Sequence, residues 1–148
     1  MSGSIDAALV FGFLSFFHFW GGAALGAGVH ARRIPPILWG ALIGGSPLYF
    51  GIERGMALGE WGWMGWQFFV LVASALLIFY RLPRLRALFL TRGMTTLTIG
   101  TFVMATGAVI GAWFFRLGSE FWSLTAGGAG FLLGAMWFGA GIKQLRGR

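Results

Sequence analysis

The sequence predicts an all-α integral membrane protein, and three observations predict it. Of the 148 residues, 57% are hydrophobic and only 10% charged, more apolar surface than one water-soluble core of this length can hide. The mean hydropathy is +0.79. Apolar residues come in runs close to the roughly 20 residues that cross about 30 Å of hydrocarbon, and basic residues gather at alternate ends of those runs. Lipid tails also accommodate the 8 Trp and 16 Phe, which water would not.

Five runs are long enough to be transmembrane helices: 7–29, 34–52, 63–80, 95–115 and 121–142. Breakers separate them, "RRIPP" at 32–36, "RGMALGE" at 54–60 and "RLGSE" at 116–120. The longer link at 81–94 carries "RLPRLRALFLTRG". It reads as a short interfacial helix with Leu82, Leu85, Leu88 and Phe89 toward lipid and Arg84, Arg86 and Arg92 toward headgroups. The whole chain, 1–148, is expected to form a single transmembrane domain: a hairpin at 7–52, a linking helix at 63–80, the interfacial segment and a second hairpin at 95–142.

Charge orients this plan. Arg32, Arg33, Arg81, Arg84, Arg86, Arg92, Lys143, Arg146 and Arg148 fall on one side of the five spans. Arg54 and Arg116 fall on the other, with all four acids, Asp6, Glu53, Glu60 and Glu120. The positive-inside rule then places the N-terminus outside and the C-terminus in the cytoplasm, as in a multi-pass protein of the cell's inner membrane, with the interfacial helix on the cytoplasmic face. The tryptophans of "WGWMGW" at 61–66 suit the outer aromatic belt. The formal charge of +7 is thus a topology signal rather than a nucleic-acid surface. The first run has Asp6 before it and neither Lys nor Arg, so no secretory signal peptide is expected.

A small-residue phrase occurs twice, "GAALGA" at 22–27 and "GAVIGA" at 107–112. Behind each follows a tryptophan, a glycine pair and a further glycine: Trp39, Gly44-Gly45, Gly51, and Trp122, Gly127-Gly128, Gly134. The corresponding spans run in opposite directions, which predicts a 2+1+2 inverted repeat about span three. Helical spacing gathers Gly40, Gly44, Pro47 and Gly51 on one stripe of span two, and Ser123, Gly127, Gly130 and Gly134 on one stripe of span five. Gly22 and Gly26, and likewise Gly107 and Gly111, stand in small-xxx-small spacing. In lipid such residues let helix backbones approach closely, so Gly22, Gly26, Gly40, Gly51, Gly107, Gly111, Gly130 and Gly134 are assigned to helix packing. Span three has no glycine after Gly65 and is expected to be the most lipid-exposed.

Polar candidates at membrane depth are few. His18, on the Gly22–Gly26 side of span one, has three readings: a substrate-binding or proton-titrating group, an axial ligand to haem or chlorophyll, or a neutral histidine bonded to a neighbouring helix. Pro47 in "GGSPLYFG" removes the hydrogen bond to the Ile43 carbonyl and predicts a kinked or unwound span two. Gly130, its counterpart, predicts a bend in span five. Ser46, Pro47, Tyr49 and His18, with Gly44, Gly45, Gly127 and Gly128, form the expected substrate pathway. The threonines of span four are expected to bond their own helix carbonyls.

The absences exclude other classes. Cysteine is missing, and with it disulfides, thiolate metal sites and thiol nucleophiles. No metal site is expected, and no HExxH, GxSxG or P-loop occurs. No acid lies at central depth, which disfavours strong proton or sodium coupling, and no catalytic set can be assembled, so the chain is not expected to be an enzyme. The leading expectation is a small channel or facilitator, working as a homo-oligomer among membrane lipids and needing no cofactor. The alternatives are a structural or assembly subunit alongside other subunits of a respiratory or photosynthetic complex, and a tetrapyrrole-binding protein using His18.

Overall fold

The computed structural model describes residues 2–147; Arg148, counted above among the basic residues of one side, lies outside them. The described residues are helical throughout, with no strand: α1 (Ser2–Ala31), α2 (Ile34–Gly45), α3 (Leu48–Leu58), α4 (Gly62–Tyr80), α5 (Pro83–Phe89), α6 (Arg92–Arg116), α7 (Glu120–Trp122), a π-helical turn (Ser123–Gly127) and α8 (Gly128–Arg146). They form two compact units that divide between Leu90 and Thr91.

Local chemistry places the boundaries. Arg33 is extended and hands over to Pro35 and Pro36 in the first turn of α2, where proline's missing N–H costs nothing. Gly59 closes α3 at φ 71°, a left-handed conformation that glycine adopts without strain. Thr91 caps α6, its hydroxyl accepting from the Met94 N–H at 3.2 Å.

The expected second span is two helices rather than one. Helix α2 stops at Gly45 and α3 starts at Leu48, because Pro47 has no N–H for the Ile43 carbonyl. The irregularity in the last span lies at the π-helical turn 123–127, not at Gly130, which is inside α8. The interfacial segment contains a helix of seven residues, but Phe89 is buried rather than turned to lipid.

In the first unit, helix directions follow from paired contacts. Phe11 stacks on Trp63 at one end of α1 and α4, with ring centroids 4.8 Å apart. His30 meets Phe79 at the other end, so α1 and α4 run parallel. Between them in sequence, α2 and α3 run back: Gly28 lies against Ile37, Gly21 against Gly44, Gly51 against Gln67 and Gly55 against Trp61. The break divides the predicted glycine stripe. Gly40 packs on α1, Gly44 lies against both Gly21 of α1 and Leu71 of α4, Gly51 packs on α4, and Gly55 lies under the Trp61 ring just before α4.

The second unit is an antiparallel hairpin of α6 with α7–α8. Gly111 faces Ser123 and Gly127, Gly107 faces Gly127, Gly130 and Phe131, and Gly100 faces Gly134 and Phe138. A Cβ on Gly100, Gly107 or Gly134 would collide with the partner helix's backbone. Gly93 against Leu145 and Gly141 against Leu97 extend the seam. Sequence reasoning missed these two, although the seven-residue spacing of Gly93, Gly100 and Gly107, and of Gly127, Gly134 and Gly141, signals them. Ser123 fastens the end, its hydroxyl donating to the Gly111 carbonyl at 2.8 Å.

The repeated phrase therefore serves two different contacts. Gly107 and Gly111 pack on the following helix, but Gly22 and Gly26 pack on α4, against Leu71, Ser74 and Ala75. It is Gly21 that meets Gly44. Helix α4, expected to be the most lipid-exposed, is with the last stretch the least buried of the four long apolar ones; the residues it does bury include Gln67, Ser74 and Ile78, and the glycines that allow this close approach belong to α1.

Candidate functional site

The helix break in the first unit has the Gly44 carbonyl on one side and the Pro47 carbonyl, which already takes the Phe50 N–H at 3.2 Å, on the other. Two side chains from different helices reach them. His18 of α1 bonds the Gly44 carbonyl through Nδ1 at 2.6 Å, and Gln67 of α4 donates from Nε2 to the Pro47 carbonyl at 3.0 Å. A carbonyl oxygen only accepts, so both bonds fix the donor: the ring proton of His18 is on Nδ1, and the Gln67 amide turns its NH2 toward Pro47. Both side chains have no solvent-exposed surface.

Neighbouring hydroxyls are already engaged. Ser74 donates to the Leu71 carbonyl at 2.9 Å and lies 3.5 Å from the His18 carbonyl. Ser15 donates to the Phe11 carbonyl and accepts from the Trp66 indole at 2.9 Å. Ser46 donates to Leu42, one turn back on its own helix.

Gly51 leaves the space that the Gln67 carboxamide oxygen occupies; a Cβ there would strike Oε1. The result is a polar layer of His18, Gln67 and Ser74 around a broken helix. Buried polar atoms without a hydrogen-bond partner are, among the described residues, His18 Nε2 and Gln67 Oε1.

Of the residues expected here, His18, Gly44 and Pro47 come together. Tyr49 does not: it is 62% exposed and pairs edge-on with Phe50. Ser46 is exposed on the far side. Gly44 and Gly127 are held in backbone contact with other glycines, while Gly45 and Gly128 face open space outside their hairpins. Gln67 escaped the sequence reading. Its signal was a lone amide within the apolar run "WQFFVLVASALLIFY", where a polar group has no water to bond.

The other polar features are structural. Thr95, Thr98, Thr101 and Thr106 each donate to the carbonyl four residues back on α6. Arg54 pairs with Glu60 rather than with its neighbour Glu53. Both groups are partly exposed, so Glu60→Gln is expected to cost under about 1 kcal/mol, with the difference vanishing at high salt; thermal melts at two ionic strengths check this. No group of three or more His, Asp or Glu with metal-binding geometry occurs among the described residues.

These features are compatible with a membrane protein. Four helical stretches, Asp6–Ala31, Gly62–Tyr80, Arg92–Arg116 and Glu120–Arg146, are long and apolar enough to cross a bilayer, consistent with a multi-pass chain. Phe13, Phe16, Phe68, Phe69, Leu132 and Met136 are exposed along them, as lipid contact requires. Compared with known protein families, characterised proteins and solved structures, the chain matches none.

Proposed function

We propose that the chain is a small facilitator or channel of the inner membrane, and that its solute is handled at the break between α2 and α3. The observation that carries this reading is the broken helix itself, with His18 and Gln67 bonded to the carbonyls on either side of the break and an unpaired acceptor left on each. Discontinuous helices at mid-depth are the recurrent binding device of transport folds, because a half-helix end offers backbone groups that an unbroken helix hides.

The parallel course of α1 and α4 supports five crossings. A chain that crosses in α1 and again in the same direction in α4 must return between them. Helices α2 and α3 together follow the length of their neighbours in the opposite sense. Their 12 and 11 residues amount to about 35 Å at 1.5 Å per residue, sufficient for the hydrocarbon layer. In this reading the N-terminus is outside, the C-terminus cytoplasmic, and the inverted repeat is confined to the hairpin contacts Gly44 on Gly21 and Gly127 on Gly107 and Gly111.

The glycines take the packing role and the break takes the solute. No cofactor, catalytic step or nucleic-acid partner enters, and a homo-oligomer completes the path, since a unit this small encloses little space. The His18 ring is enclosed by protein, which favours a small solute over a tetrapyrrole on that residue. One observation favours a second reading, a structural subunit of a larger membrane complex. The helices of each hairpin touch backbone to backbone, and such contacts wall off no lumen.

Flux of small uncharged and charged solutes into proteoliposomes separates the two. Pro47→Ala restores an N–H for the Ile43 carbonyl and lets the helix run through. It is expected to cut flux by about an order of magnitude, with a cooperative thermal melt showing that the variant still folds. Flux no greater than in empty liposomes, with co-purification at fixed stoichiometry from native membranes, would establish the structural role instead.

A further inference from the structure

The two unpaired atoms at the break share one chemical character. His18 gives its ring proton to the Gly44 carbonyl, which leaves Nε2 as a lone pair. Gln67 gives one N–H to the Pro47 carbonyl, and its Oε1 is left as an acceptor without a donor. Two acceptors cannot satisfy each other. Each left dry costs about 1–3 kcal/mol, and polar groups buried in lipid-embedded protein are normally paired.

The side chains that carry the two atoms are bonded to carbonyls of one short segment. Their anchors, Gly44 and Pro47, are three residues apart on the broken segment. On the parallel pair α1 and α4, Ser15 bonds Trp66 just before this level and the His18 carbonyl meets Ser74 just after it. Ser74 has given its own proton to Leu71, so it supplies no donor.

We propose that the break binds one water-sized neutral molecule carrying at least two N–H or O–H donors, water or ammonia, which donates to both His18 Nε2 and Gln67 Oε1. Size follows from enclosure, since neither side chain has exposed surface. Neutrality follows from charge. The acids of this unit, Asp6, Glu53 and Glu60, are all exposed, and a buried cation without a counter-charge is strongly disfavoured. This is an equilibrium site within the same break that the transport reading uses, but it does not require that anything cross the membrane.

The test is solid-state NMR of the full chain in lipid bilayers with ring-15N histidine. The sequence has 2 histidines, and His30→Gln removes the exposed one. The expected spectrum shows a protonated Nδ1 and an unprotonated Nε2 at a hydrogen-bonded position. Its magnetisation should come from exchangeable protons that disappear in D2O. Adding 15N-ammonia at alkaline pH identifies ammonia by a nitrogen–nitrogen correlation, and persistence of the water-proton signal alone identifies water; either result supports the site. Gln67→Met should move the Nε2 resonance toward the free lone-pair position. Gln67→Asn, which keeps the amide but withdraws its oxygen, should do the same where Met perturbs folding. An Nε2 at the unbonded position in the His30→Gln protein, or one unmoved by both Gln67 variants, overturns the proposal. So does an imidazolium. Absence of flux in proteoliposomes would remove the transport reading and leave this site intact.

Discussion

Gly134→Leu is expected to cause the largest loss of stability of any single substitution on α8. The space beyond Gly134 is taken by the Met104 backbone and the Gly100 carbonyl, so a Cβ alone would overlap main-chain atoms that cannot rotate away. Overpacking of a tight site typically costs about 1–3 kcal/mol where side chains can yield. Here both neighbours are backbone, and the cost falls at or above that upper end. The helices must separate, and the dispersion contacts that hold them in lipid fall away steeply with distance. Gly139, five residues along the same helix, has nothing within 4 Å of an added Cβ, so Gly139→Leu is the matched control. Thermal unfolding in detergent should show a markedly lower midpoint for Gly134→Leu and a near-native one for Gly139→Leu. Equal midpoints would mean that the seam is not what joins α6 to α8.

The second large effect concerns the polar layer. His18→Phe fills the ring volume but withdraws the donor from the Gly44 carbonyl, and Gln67→Leu does the same to the Pro47 carbonyl. His18→Phe is expected to destabilise the chain by about 1–3 kcal/mol, the cost of a buried acceptor left without its donor. The Pro47 carbonyl also receives the Phe50 N–H at 3.2 Å, so Gln67→Leu should be the milder of the two. Because both side chains brace one broken segment, the pair should be non-additive, the double variant losing less than the two losses combined. A double-mutant cycle by thermal or denaturant unfolding measures this. Strict additivity would mean that His18 and Gln67 hold the break independently.

How much of this was legible in the sequence differs from residue to residue. Pro47 announces the break, because a missing N–H is a property of the residue wherever it lies. Threonine back-bonding on α6 is equally local. The stripes of Gly40 with Gly44, and of Gly107 with Gly111, were readable from helical spacing, but their partners were not. The phrase at 22–27 looked equivalent to the one at 107–112, yet its glycines pack on α4. Spacing gives the face of a helix and says nothing of which neighbour arrives there.

The site shows the same division. His18 drew notice as an ionisable group in an apolar run, whereas Gln67, uncharged and single, did not. Tyr49 seemed to belong because it follows Pro47 closely, but α3 turns it outward. Arg54 reaches across the αL turn at Gly59 to Glu60, although Glu53 adjoins it in sequence.

The amino-acid order by itself determined the helices, their apolar faces and the interruption at Pro47, since each depends on residues within a turn or two of one another. Tertiary structure alone decided that His18 and Gln67 serve the same interruption. They are 49 positions apart and reach the carbonyls on either side of it because the glycines of α1 let α2 and α4 pack closely against that helix.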